Sequence, residues 1–195
     1  MLGLGSNIIK SGKSYELIGT YTSDFTSGVD SWEPWGEQGT LTLASNQNPS
    51  DLSGSYPDSA GWLQGDFDTN QTDMSGIKVL NITTGWTRAT TDRFDVAYTI
   101  ILASTIAGVA NDWGTDDVTT DFRVGNETGI GEAISTGGDE EVEIPVHQVF
   151  SFTSGISAPI GISNYNDLGL AWIALDRPLA TARFYIKDIV VNFYR

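Results

Sequence analysis

Apolar residues at every second position are the strongest pattern in this chain, and that period commits it to sheets. In EVEIPVHQVFSF, Val142, Ile144, Val146, Phe150 and Phe152 share one phase, while Glu141, Glu143, His147 and Ser151 share the other. FDVAYTIILA repeats the alternation with Phe94, Val96, Tyr98, Ile100 and Leu102, and VTTDFRV sets Val118, Phe122 and Val124 against Asp121 and Arg123. Each run reads as a strand with one buried and one wet face, as in antiparallel sandwiches. LGLAWIAL, residues 168 to 175, is apolar in both phases and reads as a central strand covered on both sides or lying in an interface. RFYIKDIVVNFYR changes phase between Ile186 and Ile189, so a β-bulge near Lys187 and Asp188 is expected to turn both apolar sets to one core.

Weaker strands are expected at 15 to 22, 39 to 44, 60 to 67 and 76 to 83. About nine strands in all suit a two-sheet antiparallel β-sandwich of the jelly-roll kind. The 22 glycines and the absence of long Ala, Leu, Glu and Lys runs agree with an all-β chain. With 195 residues, one domain is expected: a short N-terminal arm over residues 1 to 13 and a sandwich over 14 to 195.

The charge is lopsided. Net charge is −15, and residues 14 to 77 and 124 to 176 carry no Lys or Arg, whereas the arm holds Lys10, Lys13 and no acid. Such a body repels phosphate backbones, so nucleic acid is not an expected partner. No apolar run approaches the roughly 20 residues of a membrane-spanning helix, so no membrane partner is expected. The opening residues lack the basic start of a secretory signal. With no cysteine, disulfides, thiolate metal sites and cysteine nucleophiles are excluded.

Little concentrates into catalytic chemistry. His147 is the only histidine, and no nucleophile elbow surrounds a serine. Glu141 and Glu143 share a strand face, a pairing that glycoside hydrolysis needs but that also solvates a sheet. GDFDTNQTD begins like a calcium loop, then places Gln71 and Ile77 where the turn glycine and the bidentate acid belong. It reads as an Asx-rich turn, and no enzyme activity is expected.

The aromatic residues carry more. Trp32, Trp35, Trp62, Trp86 and Trp113 stand at or beside glycine-bearing turns, and only Trp172 lies inside an apolar strand. An indole stacks on the apolar face of a sugar while its N–H stays available for a hydrogen bond. These tryptophans are therefore candidates for subunit contact or glycan binding, against packing into the sandwich ends. DFTSGVDSWEPWGEQG reads as a long loop leaving the first strand, its tryptophans packed on the chain's own body or a partner subunit.

Three short motifs, DFTSGVDSW, GWTRATTDRFDVAYTIILA and FYIKDIVVNF, resemble in order and spacing the galactose-binding-like jelly roll of carbohydrate-binding modules of the family 4/9/22 kind. The resemblance runs over roughly residues 15 to 195. It implies a sandwich, a glycan partner and a structural calcium ion with an acid of the last strand among its ligands. Asp188 matches that acid, with Lys187 in place of its usual acidic neighbour. No other cofactor is implied.

The opening MLGLGSNIIKSG resembles the starts of small tailed-phage virion proteins, which join a short arm to a jelly-roll body. That resemblance implies a non-enzymatic virion component made in the bacterial cytoplasm, of capsid decoration, neck, tail or fibre type. Its partners would be other virion proteins or further copies of itself, engaged through Leu2, Leu4, Ile8 and Ile9 of the arm and through the loop aromatics. The alternative is a carbohydrate-binding module or adhesin domain that recognises a cell-surface glycan.

Overall fold

The computed structural model of the chain describes residues 14–36, 41–49, 59–67, 75–79, 89–104, 118–125, 140–143, 149–153, 155–156, 167–174 and 182–195. Eleven strands follow one another: β1 (Leu17–Ser23), β2 (Trp32–Gly36), β3 (Leu41–Gln47), β4 (Trp62–Phe67), β5 (Ser75–Val79), β6 (Arg93–Ser104), β7 (Val118–Gly125), β8 (Glu140–Glu143), β9 (Val149–Thr153), β10 (Asp167–Ala174) and β11 (Ala182–Tyr194). They form two antiparallel sheets. A six-stranded sheet runs β3-β4-β11-β6-β9, with β1 also paired to β11, and a five-stranded sheet runs β2-β5-β10-β7-β8. The chain is all-β, as the alternation requires. No helix among the described residues is long and apolar enough to cross a membrane.

The six-stranded sheet is built on β11, which pairs along its length with β6 and on its other side with β4 first and β1 afterwards. The expected bulge is present. The β11–β6 register slips between Lys187 and Val190, and Asp188 takes a left-handed φ of 55°. That one inserted residue puts Phe184 and Ile186 on the same side as Ile189, Val191 and Phe193, and all five are fully buried. Phe94, Val96, Tyr98 and Ile100 of β6 and Leu63 of β4 complete this layer. Each such side chain contributes about 1.5–3 kcal/mol when fully withdrawn from water.

Gly65 of β4 lies opposite Phe184 in the same layer. A Cβ there would come within 2.0 Å of the Phe184 ring, so only glycine leaves room for the aromatic to lie across the strand.

Two expectations are corrected. The stretch from Asp24 to Gly39 is not one loop, because the turn ends at Ser31 and Trp32–Gly36 forms edge strand β2. EVEIPVHQVFSF is not one strand. Glu140–Glu143 closes the five-stranded sheet, whereas Val149–Thr153 closes the six-stranded one. Pro145 lies between them and brings no N–H to a ladder, so one continuous strand is disfavoured there. LGLAWIAL supplies β10, which is central in its sheet as its double apolar phase requires.

Candidate functional site

Trp32 is structural. Trp32 is 2 % exposed, and its Nε1–H donates to Ser23 Oγ at 2.8 Å, joining β2 of one sheet to β1 of the other. Tyr21 meets its ring edge-on at 6.3 Å between centroids. The preceding turn is held by its own acids. Asp24 Oδ1 accepts from the Thr26 N–H and hydroxyl, which lowers the Asp24 pKa, and Asp30 Oδ2 accepts from the Phe25 N–H. Phe25, fully buried at φ 56°, anchors the turn, and its carbonyl accepts from the Asn46 N–H.

Trp62 is also taken up inside the chain, by a route the sequence did not suggest. It opens β4 and is fully buried with Tyr185 and Ile101 in a cluster separate from the inter-sheet layer. Tyr185 and Ile101 are cross-strand neighbours in the phase opposite to Phe184 and Ile186, so this cluster lies on the outer side of the six-stranded sheet. Lys187 Nζ sits 4.7 Å above the Trp62 ring, while Arg183 bonds Asp66 and the Tyr185 hydroxyl. With 0 and 2 % exposure, Trp62 and Trp32 leave no free face for a glycan or a second subunit, which corrects both as candidates.

Asp188 stands on the bulge with its carboxylate 3.6 Å from Lys187 Nζ. Among the described residues no group of three or more Asp, Glu or His side chains gathers to hold an ion. A calcium ion requires six to eight oxygen ligands. Trp86, Trp113, His147, and the arm residues Leu2, Leu4, Ile8 and Ile9 lie outside the described residues, as does the whole of the expected arm.

Trp35 is different, and its place emerges only from the register of the five-stranded sheet. Trp32 and Ile77 are buried and in phase, so their rows face the other sheet. Residues one position along belong to the opposite face by the pleat of the strands. On that opposite face the register aligns one row as Trp35, Gly76, Ala171, Asp121, Glu141 from β2 to β8. The row on one side of it reads Glu33, Lys78, Gly169, Arg123, and the row on the other reads Ile173, Thr119, Glu143.

Gly76 and Ala171 occupy the inner strands of the central row with Gly169 beside Ala171, while Lys78 and Arg123 occupy the inner strands of the neighbouring row. An aromatic residue stands at one end of the central row and carboxylic acids stand at the other. Five strands spaced by about 4.8 Å make the row about 19 Å long. Asp121 and Glu141 are cross-strand partners in this register.

No protein-family description matches the chain, and no curated protein matches it. Solved structures do. The chain is similar to an arabinose-bound α-L-arabinofuranosidase, with a TM-score of 0.60, 10% sequence identity and 91% of this chain covered. The chain spans only 27% of that protein's length. It is also similar to the CBM22-2 xylan-binding domain from Paenibacillus barcinonensis Xyn10C, with a TM-score of 0.49, 10% identity, and 88% of this chain and 98% of that one covered. A further similarity is to the C-terminal family 22 carbohydrate binding module of Clostridium thermocellum Xyn10B, with a TM-score of 0.48, 13% identity, and 88% and 91% coverage. At these identities the likeness concerns the fold.

Proposed function

We propose that this chain is a non-catalytic glycan-binding module whose site is the open face of the five-stranded sheet. The observation that carries the reading is the row Trp35, Gly76, Ala171, Asp121, Glu141. A polysaccharide presents apolar ring faces and a regular series of hydroxyls. An indole answers the first, carboxylates answer the second, and a floor of glycine and alanine lets an extended chain approach the sheet closely. The face carries Glu33, Asp121, Glu141 and Glu143 against Lys78 and Arg123, and in a molecule of net charge −15 this excess of acid disfavours sulfated and uronic-acid polymers. The ligand class is therefore a neutral, extended glycan.

Glu141 and Glu143 act in this reading as acceptors for hydroxyls, not as an acid and nucleophile. Set on a virion, as MLGLGSNIIKSG suggests, the same module serves as an adhesin for a cell-surface glycan.

Affinity electrophoresis through gels containing neutral or anionic polysaccharides tests the proposal. At least one neutral glycan should retard the wild type, and the anionic ones should not. Ala171→Arg, which fills the middle of the floor from the open side, should abolish retardation while leaving the circular dichroism spectrum unchanged. Free migration in every gel, or undiminished binding by folded Ala171→Arg, would sink it.

A further inference from the structure

The sheet edges of this molecule are not guarded alike. Edge strands attract other chains unless charge, proline or irregularity blunts them. Strand β2 carries Glu33 and Pro34, and β8 carries Glu140, Glu141 and Glu143. The registers of β1 and β3 are broken between Leu17 and Gly19 and between Ala44 and Gln47. Strand β9 has none of these devices. Its sequence is VFSFT, it pairs among the described strands only with β6, and the residues of its outer phase, Val149, Ser151 and Thr153, are exposed. An uncharged, regular, β-branched and aromatic edge is unexpected in a chain with 25 acids.

The sequence of this edge is also symmetric about Ser151. Paired antiparallel with itself, Ser151 stands opposite Ser151, Phe150 opposite Phe152 and Val149 opposite Thr153. No charged residue lies within the five residues of this edge, so no like charges face one another. A twofold interface requires this kind of self-complementarity. Aromatic and β-branched cross-strand pairs are those that stabilise an antiparallel ladder. Phe150 and Phe152 are in register with the buried Ile100 and Tyr98, so the pairing would continue the buried side of the sheet from one copy into the next.

We propose that β9 is the dimer edge of this protein, and that a second copy adds its own β9 antiparallel about a twofold axis through Ser151. The two six-stranded sheets then become one continuous sheet. The occupant is a second copy because the edge matches itself residue for residue. The inference does not depend on glycan binding.

Sedimentation equilibrium of the full chain over a range of concentrations tests it, together with Ser151→Lys and Ser151→Glu. The wild type should associate to a dimer. Each charged variant should dissociate at least ~10-fold more readily, because position 151 then faces a like charge. An equimolar mixture of the two should recover the dimer, since only at a twofold axis does position 151 meet itself. Recovery also shows that neither variant has lost its fold. The chain has no cysteine, so Ser151→Cys carries a single thiol and should form a disulfide-linked dimer under mild oxidation, while Thr22→Cys should not. A wild type that stays monomeric overturns the proposal. So does a dimer unmoved by both charges, or a mixture that remains monomeric.

Discussion

Replacing Gly65 with alanine probes the packing of the six-stranded sheet at one atom. A Cβ at this position would lie 2.0 Å from Phe184 Cε1, 2.1 Å from Cζ and 2.8 Å from Cδ1. Carbon atoms in contact sit about 3.5–4.0 Å apart, so the ring must withdraw. Phe184 has nowhere to go, since it is fully buried among Leu63, Ile100 and Ile186 in a layer packed as densely as a crystal. Overpacking of this kind costs about 1–3 kcal/mol. The backbone of Gly65 is not left-handed, so alanine there gains about 0.4–1 kcal/mol from a less disordered unfolded chain. An approach of 2.0 Å puts the cost in the upper half of that range, so the net effect is a loss of about 1–2.6 kcal/mol, which in a chain of this size lowers Tm by about 2–10 °C.

Urea unfolding followed by circular dichroism reads that loss, and a double-mutant cycle assigns it. Phe184→Leu removes the ring atoms that the new methyl group would strike. In that background Gly65→Ala should be neutral or slightly stabilising, giving a coupling of at least about 1 kcal/mol. A Gly65→Ala protein as stable as the wild type, or one that loses as much beside Leu as beside Phe, would refute the placement of the ring across β4.

Other perturbations test other parts of the fold. Ser23→Ala leaves the buried Trp32 Nε1–H without its acceptor at 2.8 Å and should cost about 1–3 kcal/mol in urea unfolding. At Asp188, φ 55° favours a residue without a Cβ, so Asp188→Gly should match or exceed the wild type, whereas Asp188→Val should lose about 1–3 kcal/mol by the same assay. The Tyr194 hydroxyl donates to Asp95 Oδ2 at 2.6 Å, and that hydrogen bond, with some burial, pushes its pKa from 10.0 to about 12. A raised pKa means that the protonated phenol is the stabilised form. Its contribution should be complete below pH 10 and lost between pH 10 and about 12. Unfolding midpoints across that interval should fall less steeply for Tyr194→Phe.

Much of the fold was legible because the sequence signals were local. The phase change between Ile186 and Ile189 located the bulge, since only an inserted residue brings both sets to one side. The double apolar phase of LGLAWIAL marked a central strand. WEPWG hid its strand behind a proline and a glycine, residues that ordinarily mark turns, and it is tolerated as an edge. The division of residues 140 to 153 between two sheets was concealed because the alternation keeps one phase on both sides of Pro145.

The candidate site was legible only as a tryptophan of undecided role. Trp35, Gly76, Ala171, Asp121 and Glu141 become neighbours through the pairing of strands distant in sequence, and nothing in any one strand announces the register of the next. Trp32 and Trp62 looked equivalent to Trp35 in composition. What separates them is phase, with Trp32 three residues along β2 on the buried face and Trp62 in a cluster on the outer side of the other sheet.

Tryptophan fluorescence during titration with the glycan that retards the protein most tests the central claim. Trp32 and Trp62 are buried and give a constant background, and comparison with Trp35→Ala separates Trp35 from Trp86, Trp113 and Trp172, so a ligand laid on the open face of the five-stranded sheet should shift emission through Trp35. The expected result is a saturable shift in the wild type that is lost in Trp35→Ala, with affinity weakened about tenfold or more. A shift of full size in Trp35→Ala, or none in a wild type that binds, would place the ligand elsewhere on the molecule and contradict the account.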